Sequence, residues 1–380
     1  MSQKVMHIAL DVDDKNFTGH GMCVETGEVI AFKCRPVLKK LIEKIKKQVP
    51  PGYGIKICYE TTYLGFSLAR DLIRAGYHCD VIASSLIPTL AGDRIKTDRL
   101  DAEKMALYYS NDMLVKVNIP DEDDEVVRQL IRLRKSIKRQ ITEMKNRLVS
   151  QGKIFGVEIP KTTHWNQTYS EKLYAQFNTL EVNLRDLLLF YRDLIDAQCL
   201  HLSRVESRIT DYAQSSKYKI AHDSLICLRG VKSLTAMTLL AEIGDINRFA
   251  HPKKLVSYMG LDIAEYSSGG KERKLGITKA GSSHLRTCIV ESQQILARRP
   301  SASRCVKKRR EGASPDIIKI AIKCDDRMYK RSKHLMAKGK HSNKIKVACA
   351  REMVGFIWEV MKYTTRGNQI LSTMGDMVRR

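Results

Sequence analysis

The chain has no apolar run long enough to cross a bilayer, no signal-peptide-like apolar stretch near its start, and no CxxC pair among its ten cysteines. The first two absences argue against a membrane-spanning or exported protein. Singly scattered cysteines argue against structural zinc and favour a reduced, cytoplasmic chain. Acidic residues are also in deficit: 42 Asp+Glu stand against 66 Lys+Arg, a formal net charge of +24. Such a surplus favours a polyanionic partner, and nucleic acid more naturally than a membrane. It is unevenly spread, since residues 301–380 hold 20 Lys+Arg against 7 Asp+Glu. Clusters such as Lys307-Lys308-Arg309-Arg310 and Lys330-Arg331-Ser332-Lys333 read as phosphate contacts rather than as a merely solubilising surface.

What the first third does contain is a strand-rich pattern punctuated by carboxylates. Lys4 to Val12 reads as a buried strand ending near Asp11, and Gly21 to Cys34 as two more strands around a Glu25-Thr26-Gly27 turn. A helix over about Leu38 to Gln48 follows, with Leu38, Leu41, Ile42 and Ile45 on one face. Ile55 to Tyr59 reads as a strand that delivers Glu60, then comes a helix from about Leu64 to Ala75 and a fifth strand at Val81-Ile82-Ala83. In the stretch that follows, Asp98 and Asp101 are three apart and share a helix face.

Three strands, helix, strand, helix, strand, helix is the order of an RNase H-like fold. In such a sheet Asp11 and Glu60 come together at neighbouring strand ends, opposite the last helix. Four crowded carboxylates repel one another unless divalent cations neutralise them. Two Mg²⁺ ions about 4 Å apart would do so and would support phosphodiester chemistry. A lone Asp98 or Asp101 is more often a solvated helix residue than a ligand. Asp11 follows an apolar strand, where an unpaired charge is costly. Asp13 and Asp14 are alternatives for the same role, or all three are turn residues; Asp11 is preferred because the other two lie past the hydrophobic run.

The middle of the chain reads as helical. A helix starting at Asp121 to Asp124 carries Leu130, Ile137 and Met144 seven apart, with Leu133, Ile141 and Leu148 between them, which is a coiled-coil-like seam. Its outer face is basic, with Arg132, Arg134, Lys135, Lys138, Arg139, Lys145 and Arg147. A second long helix carries Leu173, Phe177, Leu180, Leu184, Leu187, Tyr191 and Leu194. The two could pack as an antiparallel hairpin or pair between molecules.

Beyond Leu225, helix, Arg229-Gly230-Val231-Lys232 and helix have the form of a helix-hairpin-helix whose backbone N–H groups could hold DNA phosphate; a plain αα-hairpin fits as well. Next, Ser267-Ser268-Gly269-Gly270 is followed by Lys271, Arg273, Lys274, Lys279 and Arg286. A serine on a loop among cations suits attack on a phosphodiester, although Ser-Ser-Gly-Gly is also an ordinary loop.

Five separated segments then carry a resemblance over nearly the whole chain: Tyr59-Glu60, Lys96 to Ala102 (KTDRLDA), Ser267 to Gly270 (SSGG), Gly276 to Gly281 (GITKAG) and Ala350 to Trp358 (AREMVGFIW). In this order they resemble the DEDD-type transposases of bacterial insertion sequences, relatives of the pilin-gene invertases that include bridge-RNA-guided serine recombinases. The resemblance implies an RNase H-like (RuvC-like) α/β domain over 1–120, a helical coiled-coil arm over 121–218, and a mainly helical, basic, serine-bearing domain over 219–380. It implies that Asp11, Glu60, Asp98 and Asp101 bind Mg²⁺, two ions per site, and that Ser268 is the nucleophile, with Ser267 as its alternative. Lys96, Lys232, Lys271, Arg273, Lys274, Lys279 and Arg286 are the candidate nucleic-acid contacts.

The same resemblance implies DNA donor and target sites, a structured non-coding RNA and a homo-oligomer, dimer or tetramer, in the bacterial cytoplasm. Its mechanism is serine attack on DNA to give a covalent phosphoserine, followed by strand exchange and religation. A junction-resolving nuclease that uses water, and a non-enzymatic nucleic-acid-binding protein, are the competing readings.

Overall fold

The structure, a computed structural model, describes residues 4–61, 64–88, 98–160, 162, 164–268, 271–295 and 303–378; for 98–99, 266–268, 271–274, 295 and 366–378 it describes the backbone alone. The chain divides into two compact units, residues 1–121 and 122–380.

The first unit is a mixed six-stranded sheet with helices on both faces. Its strands are β1 (Val5–Val12), β2 (Phe17–Met22), β3 (Val29–Cys34), β4 (Gly54–Glu60), β5 (His78–Ile82) and β6 (Lys116–Val117), in the spatial order β3-β2-β1-β4-β5-β6. β1 pairs antiparallel with β2 and parallel with β4, and β4 is parallel to β5. Strand alternation splits β1 between two cores. Met6, Ile8, Leu10 and Val12 join α1 (Leu38–Gln48) and α2 (Ser67–Arg74) through Leu41, Ile45, Leu68 and Leu72. Ala9, with Cys58 and Ile82 on the neighbouring strands, packs instead with Met105, Ala106 and Tyr109 of α3 (Asp98–Ser110). Every expected strand and helix of this unit is present, in the expected order. β2 starts at Phe17, four residues before the expected Gly21, and β6 is an addition.

A polar clamp on the α3 side fixes that helix. The Tyr109 hydroxyl donates to Asp80 Oδ2 at 2.8 Å and lies 3.3 Å from the Ile57 carbonyl, and its ring stands edge-on to His7. His78 and Lys116 approach the same Asp80 oxygen at 3.1 and 3.2 Å. Burial alone would raise the Asp80 carboxyl, but the bonds from Tyr109, His78 and Lys116 outweigh it and hold the group below its ordinary range. The stabilisation is therefore full above the ordinary carboxylate value of about 4 and is lost as pH falls through the lower folded-state value. Tyr109→Phe is expected to cost about 1–3 kcal/mol at neutral pH and to flatten the acid limb of the stability curve, measured by denaturant midpoints between pH 7 and 3.

In the second unit, α4 (Glu122–Ile154) and α6 (Val182–Gln214) lie antiparallel within one chain. Arg134 Nε meets Glu206 Oε1 at 2.6 Å, while Asp124, near the start of α4, accepts from the Tyr218 hydroxyl just beyond α6. Ile137, Ile141 and Leu148 share a core with Leu188 and Ile195 of α6 and with Leu173 and Phe177 of α5 (Gln167–Phe177). Three details depart from expectation. Leu133 is 48% exposed, because the buried stripe runs through Val127, Ile137, Ile141 and Leu148 and leaves position 133 to its side. The single helix expected through Leu173 to Leu194 is broken after Phe177, and the Glu181 carboxylate caps the new start by accepting from Asn183 N–H. Arg132 and Arg134 are not an open basic face, since they pair with Glu242 and Glu206.

The remaining core gathers α7 (Lys219–Leu225), α8 (Ser233–Ile243), α9 (Pro252–Tyr258), α10 (Ser283–Glu291), α12 (Pro315–Ala337) and α13 (Ser342–Val378), with α11 (Arg304–Arg310) outside it. The α7–α8 turn is packed rather than presented: Leu228 and Val231 are fully buried and Arg229 nearly so. Two of its carbonyls are claimed from within the chain, as Arg309 donates to the Val231 carbonyl and Arg310 to that of Cys227. These bonds also remove two of the four cations of the 307–310 cluster from the expected phosphate contacts.

Arg310 further pairs with Asp325 of α12 at 2.8 Å, both nearly buried, and burial still pushes the Asp325 carboxyl above its ordinary range. Arg310→Met is expected to lower stability by about 3–5 kcal/mol by stranding that charge, and adding Asp325→Leu should restore most of the loss. Equal denaturant midpoints for the single and double variants would contradict this. Among the described residues, no helix is long and apolar enough to cross a membrane.

Candidate active site

Asp11 and Glu60 stand at the ends of the two central parallel strands. Leu10 is the register partner of Tyr59, so Asp11 and Glu60 are the next aligned pair, on strands about 4.8 Å apart. Both are two residues beyond members of the α3-side core, Ala9 and Cys58, and so belong to that face. Glu60 is held between fixed neighbours. Tyr59 is fully buried on the opposite face, where its hydroxyl donates to the Gly65 carbonyl and accepts from Ala69 N–H. Thr61 N–H donates to the Ile82 carbonyl. Asp13 is exposed and accepts from Asp14 N–H in the β1–β2 turn, which separates it from the strand position of Asp11.

Asp101 lies on the sheet-facing stripe of α3, one turn before Met105 and next to Ala102, and it is half-buried. Tyr109, eight residues on, marks the level of His7. Eight helical residues span about 12 Å and the four from His7 to Asp11 about 13 Å, so these spacings carry Asp101 toward the strand ends. Asp98 is the first residue of α3, one turn earlier, and its side chain lies outside the described residues. Among the described residues no three acidic, His or Cys side chains converge closely enough to hold a metal ion. The donor set nevertheless fits a hard divalent ion in kind: it is all carboxylate oxygen, with Asp11 and Glu60 on the α3 face at the ends of adjacent parallel strands.

Sequence reading missed Asp80, a further carboxylate on this face, two residues short of the edge. Its bonds to Tyr109, His78 and Lys116 make it the anchor of α3. A charged residue among His78-Cys79-Asp80-Val81-Ile82 is the signal that could have found it.

The serines belong to the second unit. β7 (Ile263–Ser268) and β8 (Lys271–Ile277) form a two-stranded ribbon in which Ser268 pairs with Lys271 and Ser267 with Glu272. The side chains of Ser267, Ser268, Lys271, Arg273 and Lys274 lie outside the described residues, as do Gly269, Gly270 and Lys96 entirely. The base of the ribbon is held by close backbone contact. Thr278 N–H donates to the Asp262 carbonyl, Lys279 N–H to Gly260 and Ser282 N–H to Tyr258. Gly260 and Gly281 both have positive φ, and a Cβ on Gly281 would stand 2.3 Å from the Tyr258 carbonyl oxygen. Arg286, a candidate nucleic-acid contact, donates through Nη1 to the carbonyls of Met259 and Lys279 and so staples the two loops. Lys279 is exposed at the end of the ribbon, and Lys232 is exposed at the start of α8.

A putative transposase, y4qE, of Sinorhizobium fredii (strain NBRC 101917 / NGR234) is 32% identical over 326 residues, covering 84% of this chain and 79% of its own length. The family described as "Transposase IS116/IS110/IS902 family" matches residues 223–307. This chain belongs to that transposase family. The matched segment runs from α7 through α11 and contains the whole serine ribbon. The transposase for insertion sequence element IS1533 of Leptospira borgpetersenii is 28% identical over 313 residues, 80% of this chain and 87% of the relative. That for insertion sequence element IS1111A of Coxiella burnetii is 26% identical over 242 residues, 62% of each chain.

Proposed function

We propose that this family member is a DNA recombinase that moves an insertion sequence by serine attack on DNA, assisted by a carboxylate metal site. The observation that carries the reading is the alignment of Asp11 with Glu60 at adjacent strand ends, on the face covered by the helix that bears Asp98 and Asp101. The β3-β2-β1-β4-β5 order, antiparallel then parallel, supports reading the first unit as RNase H-like (RuvC-like). Residues 121–218 are then the arm and 219–380 the serine-bearing domain.

Asp11, Glu60, Asp98 and Asp101 would hold the Mg²⁺, two ions per site. When bound, these ions would offset charge on the transferring phosphoryl group and lower the energy of the departing oxygen. The Ser268 oxygen bonds to phosphorus as the bond from phosphorus to the 3′ oxygen breaks. The hydroxyl proton ends on that 3′ oxygen. Because one phosphoester replaces another, reversal onto a different 3′ hydroxyl rejoins strands without an external energy source. Ser268 is preferred to Ser267 because a developing phosphoryl charge is better accommodated opposite Lys271 than opposite Glu272 in the ladder. Lys96, Lys232, Lys271, Arg273, Lys274 and Lys279 would contact nucleic acid, and choice of site would rest with a structured non-coding RNA bound by a homo-oligomer.

The test is recovery of nucleic acid that co-purifies with the protein, followed by incubation with Mg²⁺ and end-labelled DNA carrying the element's junctions. A labelled band at protein mass on a denaturing gel is expected. Strand cutting that leaves no such band would move the nucleophile from serine to water.

A further inference from the structure

Between α9, the base of the β7–β8 ribbon, α12 and the first half of α13 lies an open groove of about 2030 Å³. That is about twice the upper end of small-molecule pockets, so its size suits an extended ligand. Seven lysines and arginines line it against two carboxylates, Asp262 and Glu352. Asp262 is engaged by the Ser257 hydroxyl, and Glu352 holds Arg327 at 2.6 Å and Arg331 at 2.9 Å, which fixes two guanidinium groups along one wall. Lys323 and Arg327 are one turn apart on α12, and Lys344 and Arg351 two turns apart on α13, so the cations run in two rows along the groove. The lining also has an apolar part, with Val256 of α9, Leu275 of β8, and Val347 and Phe356 of α13.

A glycine gives independent evidence of an occupant. Gly355 lies inside α13, where glycine costs about 1 kcal/mol relative to alanine, yet a Cβ there would meet nothing within 4 Å. No packing demand within the chain accounts for it, and it lines the groove beside Phe356. Close approach of a ligand does account for it.

We infer that this groove binds an unpaired nucleic-acid strand, its phosphates along the two cation rows and its bases on the apolar part of the lining. Duplex DNA would present phosphate and sugar to both and leave the apolar part without a partner, whereas an unpaired strand offers base faces that stack on side chains such as Phe356. Ile263 and Ile277, paired at the base of the ribbon, line the groove, and five strand residues, about 17 Å, lead from there to Ser268. The strand so held is therefore one that continues toward the ribbon tip. The inference concerns binding alone and stands whether or not Ser268 is the nucleophile.

The test is fluorescence anisotropy of the full chain with a labelled 20-mer of oligo-dT, the matching oligo-U and a 20-base-pair duplex, over a salt series. Both single strands should bind at least tenfold more tightly than the duplex to this site, and their difference tells DNA from RNA. Lys323→Glu and Arg351→Glu should each weaken single-strand binding about tenfold and lower the salt slope by about 0.7 per lost phosphate contact. Lys46→Glu, on exposed α1, should leave it within twofold. Gly355→Ala should raise or preserve the melting temperature, and Gly355→Met should weaken single-strand binding more than fivefold without unfolding the chain. Tighter binding of the duplex, equal loss of both forms in the charge reversals, or unchanged binding by Gly355→Met in a folded protein would overturn the inference.

Discussion

Ser268→Ala is expected to abolish the covalent protein–DNA band and to lower strand exchange by on the order of 10⁴-fold or more, as loss of a nucleophile does when neighbouring groups act with it as a unit. Ser267→Ala should retain the band and lose less than about tenfold. The contrast follows from the ladder: one serine stands opposite Lys271 and the other opposite Glu272. The two serines are successive positions of β7 with different register partners. The gel distinguishes three outcomes. Loss of the band only in Ser267→Ala would exchange the roles, and undiminished cutting by both variants would remove serine from the chemistry.

Asp11→Asn and Glu60→Gln are expected to lose Mg²⁺-dependent cutting by roughly 10³-fold, since the ion's stabilisation of phosphoryl charge amounts to several kcal/mol. A second readout does not depend on turnover. Mg²⁺ at a hundred times its dissociation constant should stabilise the wild-type fold by about 2.7 kcal/mol, seen as a rise in melting temperature. Both variants should lose that rise while keeping a cooperative unfolding transition in chelator. A preserved Mg²⁺-dependent rise in both would mean that the ion binds elsewhere.

The sequence was most legible where one physical rule dominated. The apolar run of β1 delivered Asp11, and the lysine-backed stripe of Leu38, Leu41, Ile42 and Ile45 defined α1 at its observed ends, Leu38–Gln48. Where two rules competed it was less so. Phe17 to His20 alternates weakly and contains Gly19, so the start of β2 was lost, and β6 is only two residues long. Leu180 and Leu184 continue the spacing of Leu173 and Phe177, which hid the break that Glu181 caps. Arg309 and Arg310 look in sequence like Lys307 and Lys308, yet backbone carbonyls at Val231 and Cys227 claim the two arginines. Conversely, Lys323, Arg327 and Arg331 are spaced by four on α12, a row that was readable as one helix face but not as the wall of a groove until α13 supplied the other side.

The glycine-stapled base of the serine ribbon separates where the ribbon stands from what its tip contains. Gly260, Gly281 and Arg286 set its footing through main-chain contacts that involve no residue of the tip. Tip residues can therefore be exchanged over generations without re-aiming the ribbon, and chemistry or preference for neighbouring bases can diversify there. A side chain at 260 or 281 would instead shift every residue beyond it together. Variation among descendants of this element should accordingly be tolerated at the tip and purged at its two hinge glycines.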